Sequence, residues 1–331
     1  MRPYLILLLT GMTVGPVAAA DPPAEVIHAA TVHDGRLLCL SEGGAVAAWE
    51  LKTGAYATAE AGRLSRKGLN RLEGDGDRLW AADGAALYEW SAMAGGWEKR
   101  AAYEAGGETL VAIVPVGGTP YLVFPSAVVD PVGKRPYPVP KVKRPRGGPP
   151  LRILATHGTA ARLWVGTGNG EWGGDLLGLD VKTGTWVHDA SGGGYVTGIT
   201  HATGDEVIVS WSMDHFGART EICVHKADGT RKTEHGSLAG KYYQRLAYNP
   251  GDRSLYGIEA RDVVTIEQGK PTKVAGLDGR LFEREPNAIG VAPGVLALIP
   301  AGKGAVVVVP KVGGPTLVRD GKVTRLVKPK P

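Results

Sequence analysis

Two segments of this chain gather titratable groups closely enough to do acid–base chemistry. TGNGEWGGD (167–175) offers Asn169, Glu171, Trp172 and Asp175. WSMDHFGART (211–220) offers Trp211, Asp214, His215, Phe216 and Arg219. General acid–base work needs such groups within hydrogen-bond reach, which makes His215, Asp214 and Glu171 the acid–base candidates. Aromatic faces beside carboxylates and an amide also suit a sugar or peptide, with rings packing on rings and polar groups fixing orientation. Asn169, Glu171, Trp172, Asp175, Trp211, Asp214, His215 and Arg219 are therefore read as a ligand-binding set. The sequence holds no H-E-x-x-H, G-x-S-x-G, P-loop or C-x-x-C-H pattern. No catalytic set, metal site or cofactor is assigned.

Arg71 in LNRL and Arg245 in YQRL occupy matching places in two similar segments. With Asn70, Arg152 and Gln244 they would make a positive, polar mouth that fits a small anion. His157 and His201 stand in equivalent positions too, six residues before an aligned apolar residue, and read as a repeated hairpin feature. Glu73, Asp75 and Asp77 alternate in EGDGD, but the spacing of a calcium loop is absent and a tight turn is expected there.

The most basic stretch is KRPYPVPKVKRPRGGPP (134–150), with Lys134, Arg135, Lys141, Lys143, Arg144 and Arg146 and no acid. Its prolines fix φ and remove donors, so it reads as an extended excursion in place of a regular outer strand. It is the candidate contact for an envelope protein or an acidic polymer. The tail KVTRLVKPKP is also basic and reads as a solvated terminus.

The elements that must position these groups repeat. An apolar or aromatic residue, Gly five later and an aromatic seven later recur as Trp49–Gly54–Tyr56, Trp90–Gly95–Trp97 and Leu179–Gly184–Trp186. VHKADGTR (224–231) keeps the apolar residue and the Gly, and IEQGK and VRDGK are shorter relatives. Each is a hairpin whose Gly supplies positive φ. Ahead of each lies a strand, a Gly- and Asp-rich turn and a second strand. The second strands align on Leu37, Leu79, Leu122, Leu163, Val207 and Leu255, which are 41 to 48 residues apart. A seventh unit lies between Asn287 and Val327, with either VLALIP or AVVVVP as its second strand.

A period in the low forties with four strands per unit is the signature of propeller blades. The fold class is all-β: a seven-bladed β-propeller of four-stranded antiparallel blades, filling residues 21–331 as one domain. Ring closure stacks each sheet between two others, which explains apolar residues on both faces of AVVVVP and LVAIVPV.

At RLWVGT with LLGLDVKTGTW, and at DRLWAAD with ALYEWSAMAGGW, the chain resembles the propeller repeats of two-component regulators. The strand-to-Trp turn is similar to kelch repeats. The diglycine of kelch and the Gly-His and Trp-Asp pairs of WD40 blades are missing. Such repeats imply a fold and no catalytic set. They also imply that LRILATHG is the innermost strand of its blade, and that the two long loops share the usual ligand face.

MRPYLILLLTGMTVGPVAAA carries Arg2, an apolar run and an A-x-A pattern, the marks of a signal peptide cleaved after Ala20. The mature chain is expected to be soluble, with no membrane span, and secreted or periplasmic. Gly at 49 and Pro at 23 against 3 Phe fit many short strands. A formal net charge of +5 is too mild to argue for nucleic acid. Cys39 and Cys223 sit in apolar runs and read as buried free thiols. Three functions follow. The first is an exported ligand- or protein-binding scaffold. The second is a lyase or glycan-acting enzyme that uses the two long loops. The third is a sensor-like module that acts through a partner.

Overall fold

The computed structural model describes residues 25–141, 152–168, 173–189, 194–213, 219–239, 243–277 and 294–329. The side chains of 233–237, 239 and 244 are not among them. The described strands form seven antiparallel sheets, six of four strands and one of three, each built from consecutive strands. This is the seven-bladed propeller that the repeat predicts.

The recurring hairpin is the joint between the third and fourth strands. Trp90 pairs with Trp97 and Leu179 with Trp186 across their turns, and Trp49 bridges Tyr56. The two aromatic pairs meet edge to face, with centroids 5.4 and 5.5 Å apart. Gly54 and Gly184 adopt φ of 74° and 78°, a region that side-chain-bearing residues rarely enter.

Second strands carry the core. Arg36–Ser41, Arg162–Gly168 and Ala305–Pro310 are buried on both faces nearly throughout. The buried apolar residues fall into seven clusters, each joining two adjacent blades. Cys39 and Cys223 lie in two of these clusters as buried free thiols. Burial pushes the Cys39 thiol well up from its ordinary range, which makes it inert. Inner strands approach closely: a Cβ on Gly158 of blade four would overlap the Pro115 carbonyl of blade three.

Two details differ from the sequence reading, and the structure decides a third that it leaves open. Blade one has three strands, and the place of its fourth is taken by the Tyr56 bridge and a short helix, Thr58–Leu64. The helix buries Ala61 and Leu64, and Ser65 Oγ accepts the Val46 amide of the third strand at 2.8 Å.

The basic Pro-rich segment does not replace the outer strand of blade three. Its first part, Arg135–Pro138, is that strand. The Tyr137 register places the amides of Tyr137 and Val139 toward the sheet, and Val139 donates to the Ser126 carbonyl at 2.8 Å. Pro136 and Pro138 therefore face outward, where an edge strand needs no donor.

In blade seven VLALIP is the inner strand, Val295–Pro300, and AVVVVP the second.

The ring closes by packing between its first and last blades. Ile27 donates to the Lys311 carbonyl at 2.8 Å, and Trp49 Nε1 to the Val327 carbonyl at 3.4 Å. Arg319 donates to the carbonyls of Leu51 and Lys52 at 2.7 and 3.1 Å. Among the described residues, no helix is long and apolar enough to cross a membrane. The signal-peptide reading of 1–20 lies outside the described residues.

Candidate functional site

The seven inner strands surround a central cavity of about 310 Å³. Its wall is mostly small or aliphatic: Ala29, Ala30, Ala112, Ala155, Gly198 and Ala297, with Leu154, Ile199, Leu296 and Leu298. Into it project Arg71 at the start of Arg71–Asp75 and Arg245 in Tyr243–Asn249, and Glu73, His28 and Thr156 also line it. The two arginines that the sequence pairs by position are thus brought to one cavity.

Each guanidinium is held by backbone carbonyls of inner-strand segments. Arg71 donates from Nε to Val111 O of blade three at 2.7 Å and from Nη1 to Asn70 O at 2.6 Å. Arg245 donates from Nε to Leu296 O of blade seven at 3.0 Å and from Nη1 to Thr197 O of blade five at 3.2 Å. Carbonyls fix the plane of the Arg71 guanidinium without cancelling its charge. Among the described residues Arg71 makes no ion pair. Burial lowers its proton affinity from the ordinary guanidinium range, so an anion arriving beside it would relieve the cost of the buried charge.

Glu73 lies two residues on, in the same strand and cavity. Burial, with the charge of Asp75 added, pushes its carboxyl up to about 8. At neutral pH it is chiefly protonated, a hydrogen-bond donor on the cavity wall. The sequence places it in a tight turn. Instead the strand runs through to Asp75, and the turn begins at Gly76. The remaining polar candidates do not join the cavity lining. Arg152 is exposed at the start of its strand, Asn70 has a buried Oδ1 without a hydrogen-bond partner, and the Gln244 side chain is outside the described residues.

The long-loop set is only partly described. Asn169, Glu171, Trp172, Asp214, His215 and Phe216 lie outside the described residues, and with them all three acid–base candidates. Asp175 and Trp211 are not exposed loop residues. Asp175 is 3% exposed, with its amide on Thr167 Oγ1 at 2.9 Å and its Oδ1 2.9 Å from His188 Nε2. It closes the base of its loop. Trp211 is 2% exposed, because its strand runs on to Met213 and turns the indole into the core beside His225. Trp211 and Arg219 do line one hollow with Glu221, but its volume of about 20 Å³ holds no more than a water.

His157 and His201 come together from adjacent blades, with ring centroids 6.2 Å apart. Burial, aided by the charge His201 can carry, lowers His157 to about 4. Among the described residues no third metal-ligating side chain completes a cluster with them. Of the basic arm, Lys134, Arg135 and Lys141 are described and exposed, with Arg135 stacked 4.8 Å over Tyr137. Lys143, Arg144 and Arg146 lie outside the described residues.

No family model matches this chain, and no curated protein matches it. Solved structures do. The β-propeller domain of Cps50 (Swd1) from Myceliophteria thermophila is 14% identical, with a TM-score of 0.60 over 91% of this chain and 96% of that one. A chain of the mitotic checkpoint complex is 10% identical, with a TM-score of 0.59 over 96% and 98%. The extracellular domain of the putative one-component system BT4673 from B. thetaiotaomicron is 12% identical, with a TM-score of 0.52 over 89% of this chain and 38% of that one. At these identities the likeness establishes the β-propeller fold.

Proposed function

We propose that this chain is an exported propeller that acts as a binding module, in the cell envelope or outside the cell, and that its ligand site is the mouth of the central channel. The observation that carries the reading is the convergence of Arg71 and Arg245 on one cavity, each tethered to backbone carbonyls. A small anion is the ligand that such a site suits. Export is supported by the sequence of residues 1–20. A protein-facing role is favoured by exposed Lys134, Arg135 and Lys141, which suit an acidic polymer or envelope protein. Sensor-like action through such a partner is compatible with the same surface.

The test is calorimetric titration of the purified chain with a panel of small anions, repeated on Arg71→Gln and Arg245→Gln. Saturable binding that both substitutions weaken at least tenfold is the expected result. Absence of binding by every anion would overturn the channel site and leave the basic arm as the surface to pursue.

A further inference from the structure

Two histidines meet at the ends of neighbouring inner strands. His157 stands next to last in Arg152–Gly158, and His201 ends Tyr195–His201, both beside the turns into the second strands. Neither lines the central cavity, so the pair is separate from the channel.

Their meeting depends on an offset of one residue. His157 pairs across its hairpin with Trp164, and His201 with Val207. Val207 is the aligned residue of blade five, while its counterpart in blade four is Leu163, one before Trp164. Side chains alternate between the faces of a strand, so the offset turns the two imidazoles to opposite faces of their sheets. These are the faces that meet between blades four and five, where Trp164 and Val207 share one core cluster. The ring centroids stand 6.2 Å apart, with the planes at 43°.

Hydrogen bonding does not account for the pair. Among the described residues neither ring makes a hydrogen bond, and Nε2 of His157 is buried without a partner. Buried polar atoms ordinarily have one. Burial keeps the His157 ring neutral near pH 7, which leaves it a lone pair. His201 is exposed, so water and ions reach the pair from its side. Neutral imidazole is the commonest metal ligand and suits Zn²⁺, Ni²⁺ and Cu²⁺.

The spacing fits a shared ion. A metal lies about 2.0–2.1 Å from a histidine nitrogen, and so about 3.2 Å from the ring centroid. Two rings on one ion therefore have centroids at most about 6.4 Å apart, and about 5.2 Å apart at a tetrahedral angle. The observed 6.2 Å lies inside the first limit, and rotation of the exposed His201 side chain brings the rings closer.

We propose that His157 and His201 form a two-histidine site for a divalent transition-metal ion, which joins blades four and five beside their first turns. Among the described residues no third metal-ligating side chain stands near, so water completes the coordination shell. The ion ties two blades together and stabilises the ring at that joint. This site is independent of the channel reading.

The experiment titrates Zn²⁺ into the untagged chain by calorimetry at pH 7.5, with Mg²⁺ as the control ion, for wild type, His201→Ala, His157→Gln and His188→Gln. His188, which lies against Asp175, is the control histidine. Circular dichroism confirms that each variant is folded, and if His157→Gln does not fold, the exposed His201 decides alone. Wild type is expected to bind Zn²⁺ saturably, to ignore Mg²⁺ and to melt higher with Zn²⁺ present. Either substitution in the pair should weaken Zn²⁺ binding at least tenfold and abolish the rise in melting temperature, while His188→Gln changes neither. No Zn²⁺ binding by wild type, or binding that His201→Ala leaves intact, would overturn the assignment. Equal weakening by His188→Gln would place the ion elsewhere and overturn it as well.

Discussion

The backbone carbonyl of Thr197 accepts Nη1 of Arg245 at 3.2 Å, and the same threonine's hydroxyl heads a buried chain that returns to the strand carrying that arginine. Thr197 Oγ1 lies 2.9 Å from Ser210 Oγ and 3.0 Å from Ser212 Oγ. Ser212 Oγ lies 2.9 Å from Thr220 Oγ1, which accepts the amide of Tyr243 at 3.3 Å. Tyr243 is two residues before Arg245. Blade five thus grips both the backbone and the guanidinium of this arginine.

Removing the middle of that chain should loosen the arginine. Thr220→Val keeps the shape but takes one of two partners from the Ser212 hydroxyl and removes the side-chain acceptor of the Tyr243 amide in a fully buried place. The expected loss of stability is about 1–3 kcal/mol. Urea unfolding monitored by tryptophan fluorescence measures it, and an unchanged midpoint would refute the role given to the chain.

Glu73 gives the fold a particular pH dependence. Its folded affinity for a proton exceeds that of an ordinary carboxylate, so the folded state binds more protons than the unfolded one from about 4.5 up to about 8. Stability tied to this group is whole below that window and is lost as pH rises through it. Glu73→Gln should therefore melt higher than wild type at pH 8 and no higher at pH 4. Melting curves across that range decide it; a difference independent of pH would contradict the assignment.

The buried histidines act in the opposite direction. His225 is fully buried, its ring 6.4 Å from both Trp164 and Trp211, and among the described residues neither nitrogen has a hydrogen-bond partner, with Asp189 Oδ2 3.7 Å from Nδ1. Burial lowers it to about 4, against the opposing charge of Asp189. It folds neutral, so its contribution is intact above about 6.5 and is lost as pH falls toward 4. His225→Phe should lose less stability than wild type between pH 7 and pH 4.5. Equal acid sensitivity in the two proteins would show that other groups govern it.

At the seam between first and last blades, Arg319 spans the gap with two hydrogen bonds to main-chain oxygens. Arg319→Ala should cost roughly 1–2 kcal/mol, the low end for partly exposed bonds to a charged donor. Lys322→Ala, exposed on the neighbouring strand, should fall within about 0.5 kcal/mol of wild type. Chemical denaturation of the two variants separates a closing contact from a general loss of surface charge.

The blade count and strand order are legible because several hairpins carry their own local chemistry: a glycine at positive φ flanked by a cross-strand pair, Trp90 with Trp97 or Leu179 with Trp186. The helix Thr58–Leu64 was not, since seven residues offer too few turns to display a period, and its apolar stripe is two residues, Ala61 and Leu64. Polar residues crowd Trp211 in sequence and suggest a loop, while the sheet extends through Met213 and buries it. Arg71 and Arg245 were paired by their equivalent positions. The place of Glu73 on the cavity wall is not legible, because nothing beside it in EGDGD signals burial, which comes from inner strands brought around it by the ring.

Among the described residues, no strand from one end of the chain enters the sheet of the other. Within each sheet every strand pairing is therefore made between neighbours in sequence, and the contacts of the first blade with the last, including the bridge between Val26 and Val312, are those that span nearly the whole chain. Chains dominated by local pairing fold fast, while long-range closure pays its entropy before it is rewarded. The sheets can form one after another as an open arc, with joining of the ends as the slow final event. Until it occurs, the channel has no complete circumference, so the proposed ligand site would arise only in that last step.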